Sequence, residues 1–176
     1  MKSNIALIGF MGSGKSTVGK RLARRLGRNF IETDRLIEQQ AGMSIVNIFK
    51  SGGETEFRDL ETAVIASVSD TAENSVIACG GGVVARPKNI ERLKSAATIV
   101  YLQAGTAALN DRLAFSRKRP LLDQPDREQF IRELEATRRP LYEAAADITV
   151  RTGNRPFAAV IDEIIRKLDI NESPNQ

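Results

Sequence analysis

Gly9-Phe10-Met11-Gly12-Ser13-Gly14-Lys15-Ser16 reads G-x-x-x-x-G-K-[ST] in full. Glycines in such a loop let the backbone curl so that its N–H groups face phosphate oxygens, at the positive end of the helix that follows. Lys15 would bridge the outer phosphates of a nucleotide, and the Ser16 hydroxyl would bind Mg²⁺. The loop assigns a nucleotide-phosphate site without choosing among its users. A GTPase would also carry D-x-x-G and N-K-x-D, and neither string occurs. A mechanical ATPase needs more chain and a long hydrophobic strand ending in Asp. What remains is a small kinase, which requires an acid for metal or acceptor hydroxyl, cations for the acceptor, and a cover that excludes water.

Candidates for each part follow. Glu32 and Asp34 close a short apolar run, Phe30-Ile31, and so emerge where ligands collect on a parallel sheet. Taken alone, Asp34 reads equally well as a helix cap. Arg58 has a plain reading as an i,i+4 surface partner of Glu54. Gly80-Gly81-Gly82, directly after Val76-Ile77-Ala78, suggests backbone that approaches a ligand closely, against the alternative of a flexible turn. Arg117-Lys118-Arg119-Pro120 lies in a stretch from Phe115 to Asp126 with little periodicity, which reads as an exposed mobile loop able to close on a triphosphate. Arg138 and Arg139 precede Pro140-Leu141-Tyr142. The planar fork of arginine suits a carboxylate, so the acceptor is expected to be anionic.

The elements that must position these residues can be read from periodicity. Ile5–Ile8, Phe30-Ile31, Val76–Ala78, Thr98–Leu102 and Ile148–Val150 are short apolar runs of strand character. Between them lie helical stretches. One starts at Lys15 with Val18, Leu22 and Leu26 on one face, and stops at Gly27. Others run from Thr33 toward Gln40, around Ile45 to Phe49, and, after a break at Gly52-Gly53, from Glu54 to Val68. Pro87 toward Leu93, Thr106 to Leu113, Phe130 to Ala145 and Phe157 to Leu168 complete the set. Strands that are apolar throughout and alternate with helices imply an α/β fold, a parallel sheet covered on both faces. One domain over 1–170 is expected, with a lid at about 112–126 and a polar tail, 171–176.

Composition excludes several classes. The chain has 176 residues, one cysteine and no histidine. That leaves no disulfide framework, no Cys/His zinc site and no histidine-based nucleophile system. The net charge is +4, with 26 basic and 22 acidic residues interspersed and aromatics at 5%. Nucleic-acid binding, which favours a basic stripe interleaved with aromatics, is not expected. No apolar run is long enough to span a bilayer, and the start Met-Lys-Ser-Asn turns hydrophobic for only a few residues before Gly9, so a leader is not expected. A cytoplasmic monomer with no membrane partner is expected.

In order and spacing, the chain resembles the shikimate kinase family. The resemblance rests on Gly9–Thr17, the acidic pair ending in Asp34, Gly53-Glu54 with Phe57-Arg58, the triple glycine, Arg119-Pro120-Leu121-Leu122, and Arg138-Arg139-Pro140-Leu141-Tyr142. It implies a P-loop domain of the nucleoside-monophosphate-kinase type, with a five-stranded parallel sheet. It also implies transfer of the γ-phosphoryl of ATP to the 3-hydroxyl of shikimate, with Mg²⁺. Gly12, Ser13, Gly14, Lys15, Ser16 and Thr17 would then wrap the ATP phosphates, and Asp34 would bind the ring hydroxyls and act as base. Arg58 and Arg138 would grip the shikimate carboxylate, with backbone contact from Gly81 between Gly80 and Gly82. Arg119 would close onto ATP, and Arg112 and Arg155 would flank the adenine. The family commonly has aspartate where this chain has Glu32, which is expected to hold Mg²⁺ through a water. Alternatives from the residues alone are another small-metabolite kinase, such as a gluconate kinase, or a non-enzymatic ATP-dependent regulatory module.

Overall fold

A computed structural model describes residues 2–105 and 125–168. The expected helix at 106–113, Arg112, Arg119 and nearly all of the expected lid fall outside them, as does the tail. Five strands form one parallel sheet: β1 (Asn4–Ile8), β2 (Asn29–Glu32), β3 (Ser75–Ala78), β4 (Ala97–Gln103) and β5 (Ile148–Arg151), in the order β2-β3-β1-β4-β5. The helices are α1 (Lys15–Leu26), α2 (Thr33–Ala41), α3 (Ile45–Thr71), α4 (Pro87–Ala96), α5 (Arg127–Ala145) and α6 (Phe157–Lys167). A short 3₁₀ turn spans Val83–Ala85. None of the described helices is long and apolar enough to cross a membrane.

The period-two alternation of strand side chains divides the core into two layers. Ala6, Ile8, Ile77, Ile99 and Tyr101 face one side, where Ile37, Ile65, Leu93 and Tyr142 from α2, α3, α4 and α5 cover them. Ile5, Leu7, Val76, Val100 and Leu102 face the other, under Val18 and Leu22 of α1 and Val160 and Ile164 of α6. Central strands are therefore apolar on both faces, as a sheet buried between helices requires. Helix α1 sits close to the sheet because Gly19 faces Phe30: a Cβ there would lie 2.7 Å from the ring.

The break read at Gly52-Gly53 is real but local. Helix runs on either side of Gly53, which alone has non-helical angles (φ 71°, ψ −167°). Strand β1 lies between β3 and β4, with connections leaving to opposite sides. The loop after β1 therefore opens at the point where the strand order reverses, the usual ligand crevice of such sheets.

Candidate active site

The phosphate loop leaves β1 through Gly9, where a Cβ would stand 2.5 Å from the Leu102 carbonyl oxygen, so no side chain fits beside β4. Gly12 and Gly14 take left-handed angles (φ 78° and 92°), and Gly14 caps α1. The Ser13 N–H closes the loop onto the Phe10 carbonyl at 3.1 Å. The Lys15 ammonium is buried and donates to the carbonyls of Gly9 (2.8 Å) and Phe10 (2.9 Å), and to Ser13 Oγ at 3.4 Å. The positive charge is thus held within the loop rather than extended into solvent. The Ser16 hydroxyl donates to Glu32 Oε1 at the end of β2. A cavity of about 440 Å³ opens here, lined by Gly12, Lys15, Ser16, Thr17, Glu32, Asp34, Gly80, Gly81 and Phe157 among others. Asp34 lies in the first turn of α2, whose N-cap is Glu32 with no side-chain capping bond, so the capping reading of Asp34 does not hold.

The triple glycine explains the acceptor side. None of Gly80, Gly81 and Gly82 has positive φ, so backbone freedom is not what the turn uses here. Space is what it uses. A Cβ on Gly80 would lie 2.7 Å from Asp34 Oδ1 and 3.0 Å from Glu61 Oε2. On Gly81 it would lie 3.2 Å from the Met11 nitrogen and 3.8 Å from Arg138 Nη1, and on Gly82 only 2.2 Å from Arg58 Nη1. Two acids and two arginines therefore converge on three consecutive residues beside the phosphate loop.

Arg58 is buried, and its firm partner is Glu61 Oε1 at 2.8 Å, while the expected pairing with Glu54 is present but longer, at 3.4 Å. Its guanidinium also lies over the Phe57 ring, 5.0 Å from the centroid. Glu61 is 1% exposed. Burial pushes its carboxyl above the usual range, partly offset by the charge and hydrogen bond of Arg58. Arg138 is 6% exposed, and its Nη1 has no hydrogen-bond partner among the described residues. A desolvated guanidinium N–H without a partner is costly, and an anionic ligand would satisfy it.

Of the residues singled out from sequence, the cavity unites Gly12, Gly14, Lys15, Ser16, Thr17, Glu32, Asp34, Gly80 and Gly81. Ser13 lies buried beneath the loop, and Arg58, Gly82 and Arg138 form the adjoining wall. Arg155 is not in the cavity lining; Arg151 O at 2.8 Å and Glu163 Oε2 at 2.6 Å hold its guanidinium. Phe157, two residues on, does line the cavity, with the Arg21 guanidinium over its ring at 5.3 Å. Sequence reasoning missed Glu61. Its signal was a carboxylate on the same face of α3 as Phe57, Val64, Ile65 and Val68, where only a paired acid can be buried. Cys79 also borders the cavity, its thiol pushed up to about 12 by burial and then by the charge of Glu61.

A phosphate loop at the switch point of a β2-β3-β1-β4-β5 parallel sheet, facing acids and buried arginines across one cavity, defines a small P-loop kinase. The chain belongs to the shikimate kinase family, whose family model, described as shikimate kinase, matches residues 11–169. The shikimate kinase of Symbiobacterium thermophilum is 44% identical over 167 residues, covering 94% of this chain and 95% of that protein. Among solved structures, shikimate kinase from Acinetobacter baumannii in complex with shikimate superposes with a TM-score of 0.90 at 36% identity, covering 94% of this chain and 92% of that one. The Aquifex aeolicus enzyme gives a TM-score of 0.82 at 38% identity, with 94% and 96% covered.

Proposed function

We propose that this chain transfers the γ-phosphoryl group of ATP to the 3-hydroxyl of shikimate. The observation that carries the reading is the convergence of buried Arg58 and Arg138 on Gly82 and Gly81, beside the phosphate loop. That arrangement offers two planar forks to one carboxylate next to the loop that would hold the phosphates. Gly12 to Thr17 hold the ATP phosphates through backbone N–H groups, and Lys15 moves from its loop carbonyls to the β- and γ-oxygens. Asp34, at the cavity and beside Gly80, takes the proton of the acceptor hydroxyl as that oxygen bonds to the γ-phosphorus and ADP leaves. Arg119 and Arg112 would take the roles that the resemblance implies, on the phosphates and beside the adenine, and Arg155 would join them only by turning from Glu163 toward the nucleotide.

The oxygen donors at the loop fit Mg²⁺. Ser16 Oγ and Glu32 Oε1 are already in contact at the cavity edge. Among the described residues no group of three His, Cys, Asp or Glu forms a metal cage, which suits an ion that keeps waters and substrate oxygens. Ser16 would hold it directly and Glu32 through a water, and when bound it neutralises charge on the β- and γ-oxygens. ATP as co-substrate goes with a cytoplasmic location.

Incubation with ATP and Mg²⁺ against shikimate, gluconate and other cyclic and linear hydroxy acids, reading ADP release, tests the proposal. ADP release with shikimate far above every other acid is expected. Turnover of gluconate in preference would place the chain among other metabolite kinases, and nucleotide binding without turnover of any acid would make it a regulatory module.

A further inference from the structure

The turn that carries the acceptor-side glycines has a definite type. The Val83 N–H donates to the Gly80 carbonyl at 3.1 Å, which makes Gly81 and Gly82 the central residues of a β-turn. Gly82 has φ −90° and ψ 10°, the values of the third position in a type I turn. Glycine at that position also accommodates the type II form, in which the Gly81–Gly82 peptide is rotated by about half a turn and the third residue moves to positive φ. With glycine on both sides of it, this peptide has little of its own to keep it from flipping.

An ordinary L-residue at 82 would enforce type I by sterics, but its Cβ would stand 2.2 Å from Arg58 Nη1. The device used instead is Tyr142. Its hydroxyl donates to the Gly81 carbonyl oxygen, the atom that reverses direction when the peptide flips. The tyrosine is wholly buried on α5, one turn beyond Arg138, and its ring stacks on Tyr101 of β4 with centroids 5.1 Å apart. Gly81 lines the cavity, Gly82 belongs to the wall adjoining it, and Tyr142 is wholly buried behind both, so the carbonyl held by Tyr142 is turned into the protein. Across the trans peptide, the Gly82 N–H then points the opposite way. We propose that Tyr142 is a positioning residue: its hydroxyl locks the Gly81–Gly82 peptide in the type I orientation, so that the anionic acceptor meets N–H rather than a carbonyl oxygen. The inference rests on the acceptor reading given above.

Tyr142→Phe keeps the stacked ring and removes a hydroxyl that serves both Gly81 and Arg138, so the Gly82 amide rather than the KM alone separates the lock from the arginine, and Tyr101→Phe removes a core hydroxyl that faces the charges of Glu135 and Arg139. In Tyr142→Phe the KM for shikimate should rise roughly 3- to 10-fold, the equivalent of one lost hydrogen bond, with the KM for ATP within about twofold. Tyr101→Phe should leave both constants near the parent. The Gly82 amide resonance of isotope-labelled protein should shift markedly in Tyr142→Phe and not in Tyr101→Phe, a readout that does not depend on turnover. An unmoved Gly82 amide, or an equal rise in KM for both substrates, would overturn the proposal. A parent protein inactive on shikimate would instead overturn the function, leaving the amide comparison to decide the lock.

Discussion

Gly82→Ala isolates the idea that the triple glycine exists to make room for a guanidinium. The new Cβ would sit 2.2, 2.3 and 2.4 Å from Nη1, Nη2 and Cζ of Arg58. An unstrained contact needs about 3.5 Å, so the guanidinium must retreat by roughly 1.3 Å. It is the far end of a flexible side chain and can do so without unfolding the protein, but its 2.8 Å bond to Glu61 does not survive the move. The loss is one charge-assisted hydrogen bond within a buried pair, about 1.5–3 kcal/mol of stability. A positioning error near 1 Å at the acceptor carboxylate costs about 10²-fold in kcat/KM for shikimate. Equilibrium titration should show weaker shikimate binding and ATP affinity within about twofold, because the atoms a Cβ at 82 crowds belong to Arg58 and not to the phosphate loop. Thermal unfolding reports the stability term separately. Wild-type shikimate affinity in a folded Gly82→Ala protein would refute the reasoning, as would a loss shared equally by ATP.

Three further outcomes follow from the same geometry. Lys15→Ala should lower turnover by well over tenfold, since in the loop only this side chain brings a cation to the β- and γ-phosphates, and turnover within tenfold of the parent would remove the loop assignment. Glu32→Ala should raise the Mg²⁺ needed for half-maximal rate about 10- to 100-fold while Glu32→Asp keeps most activity, and an unchanged Mg²⁺ dependence would make Glu32 a bystander. The Cys79 thiol, with its pKa raised to about 12, gains thiolate only as pH climbs toward that value, so at pH 8 about one molecule in 10⁴ is reactive; labelling of the native protein by a thiol reagent should be slow and should become fast on denaturation.

Much of this architecture was legible in the residues because the signals are local. The phosphate loop, the five apolar runs and the stop at Gly27 each depend on neighbours in sequence, and each appears where periodicity put it. The strand order β2-β3-β1-β4-β5 was not legible, since register between strands tens of residues apart leaves no local mark. The acceptor site divides the same way. Arg58 and Arg138 could be suspected from residue type, but Glu54 looked like the natural partner of Arg58 at i,i+4. The buried Glu61 at i,i+3 takes that place, because burial rather than spacing decides which ion pair is tight. The triple glycine read as backbone close to a ligand; that side chains of α2, α3 and α5 also crowd it left no mark in the sequence, because they arrive from distant segments. Tyr142 meets Gly81 across 61 residues, a distance at which no spacing rule operates.

The proposed acceptor site has two buried arginines, Arg58 and Arg138, reading one carboxylate. It is tested most directly by comparing kcat/KM for shikimate with that for its methyl ester, which keeps the ring and hydroxyls and removes the charge. Two charge-assisted hydrogen bonds at about 1.5–3 kcal/mol each predict a loss of roughly 10²- to 10⁴-fold for the ester in the parent protein. In Arg138→Ala the gap between acid and ester should narrow by at least tenfold, because one of the forks that senses the charge is gone. Equal turnover of acid and ester by the parent, or a gap untouched in Arg138→Ala, would mean that these arginines do not read the carboxylate.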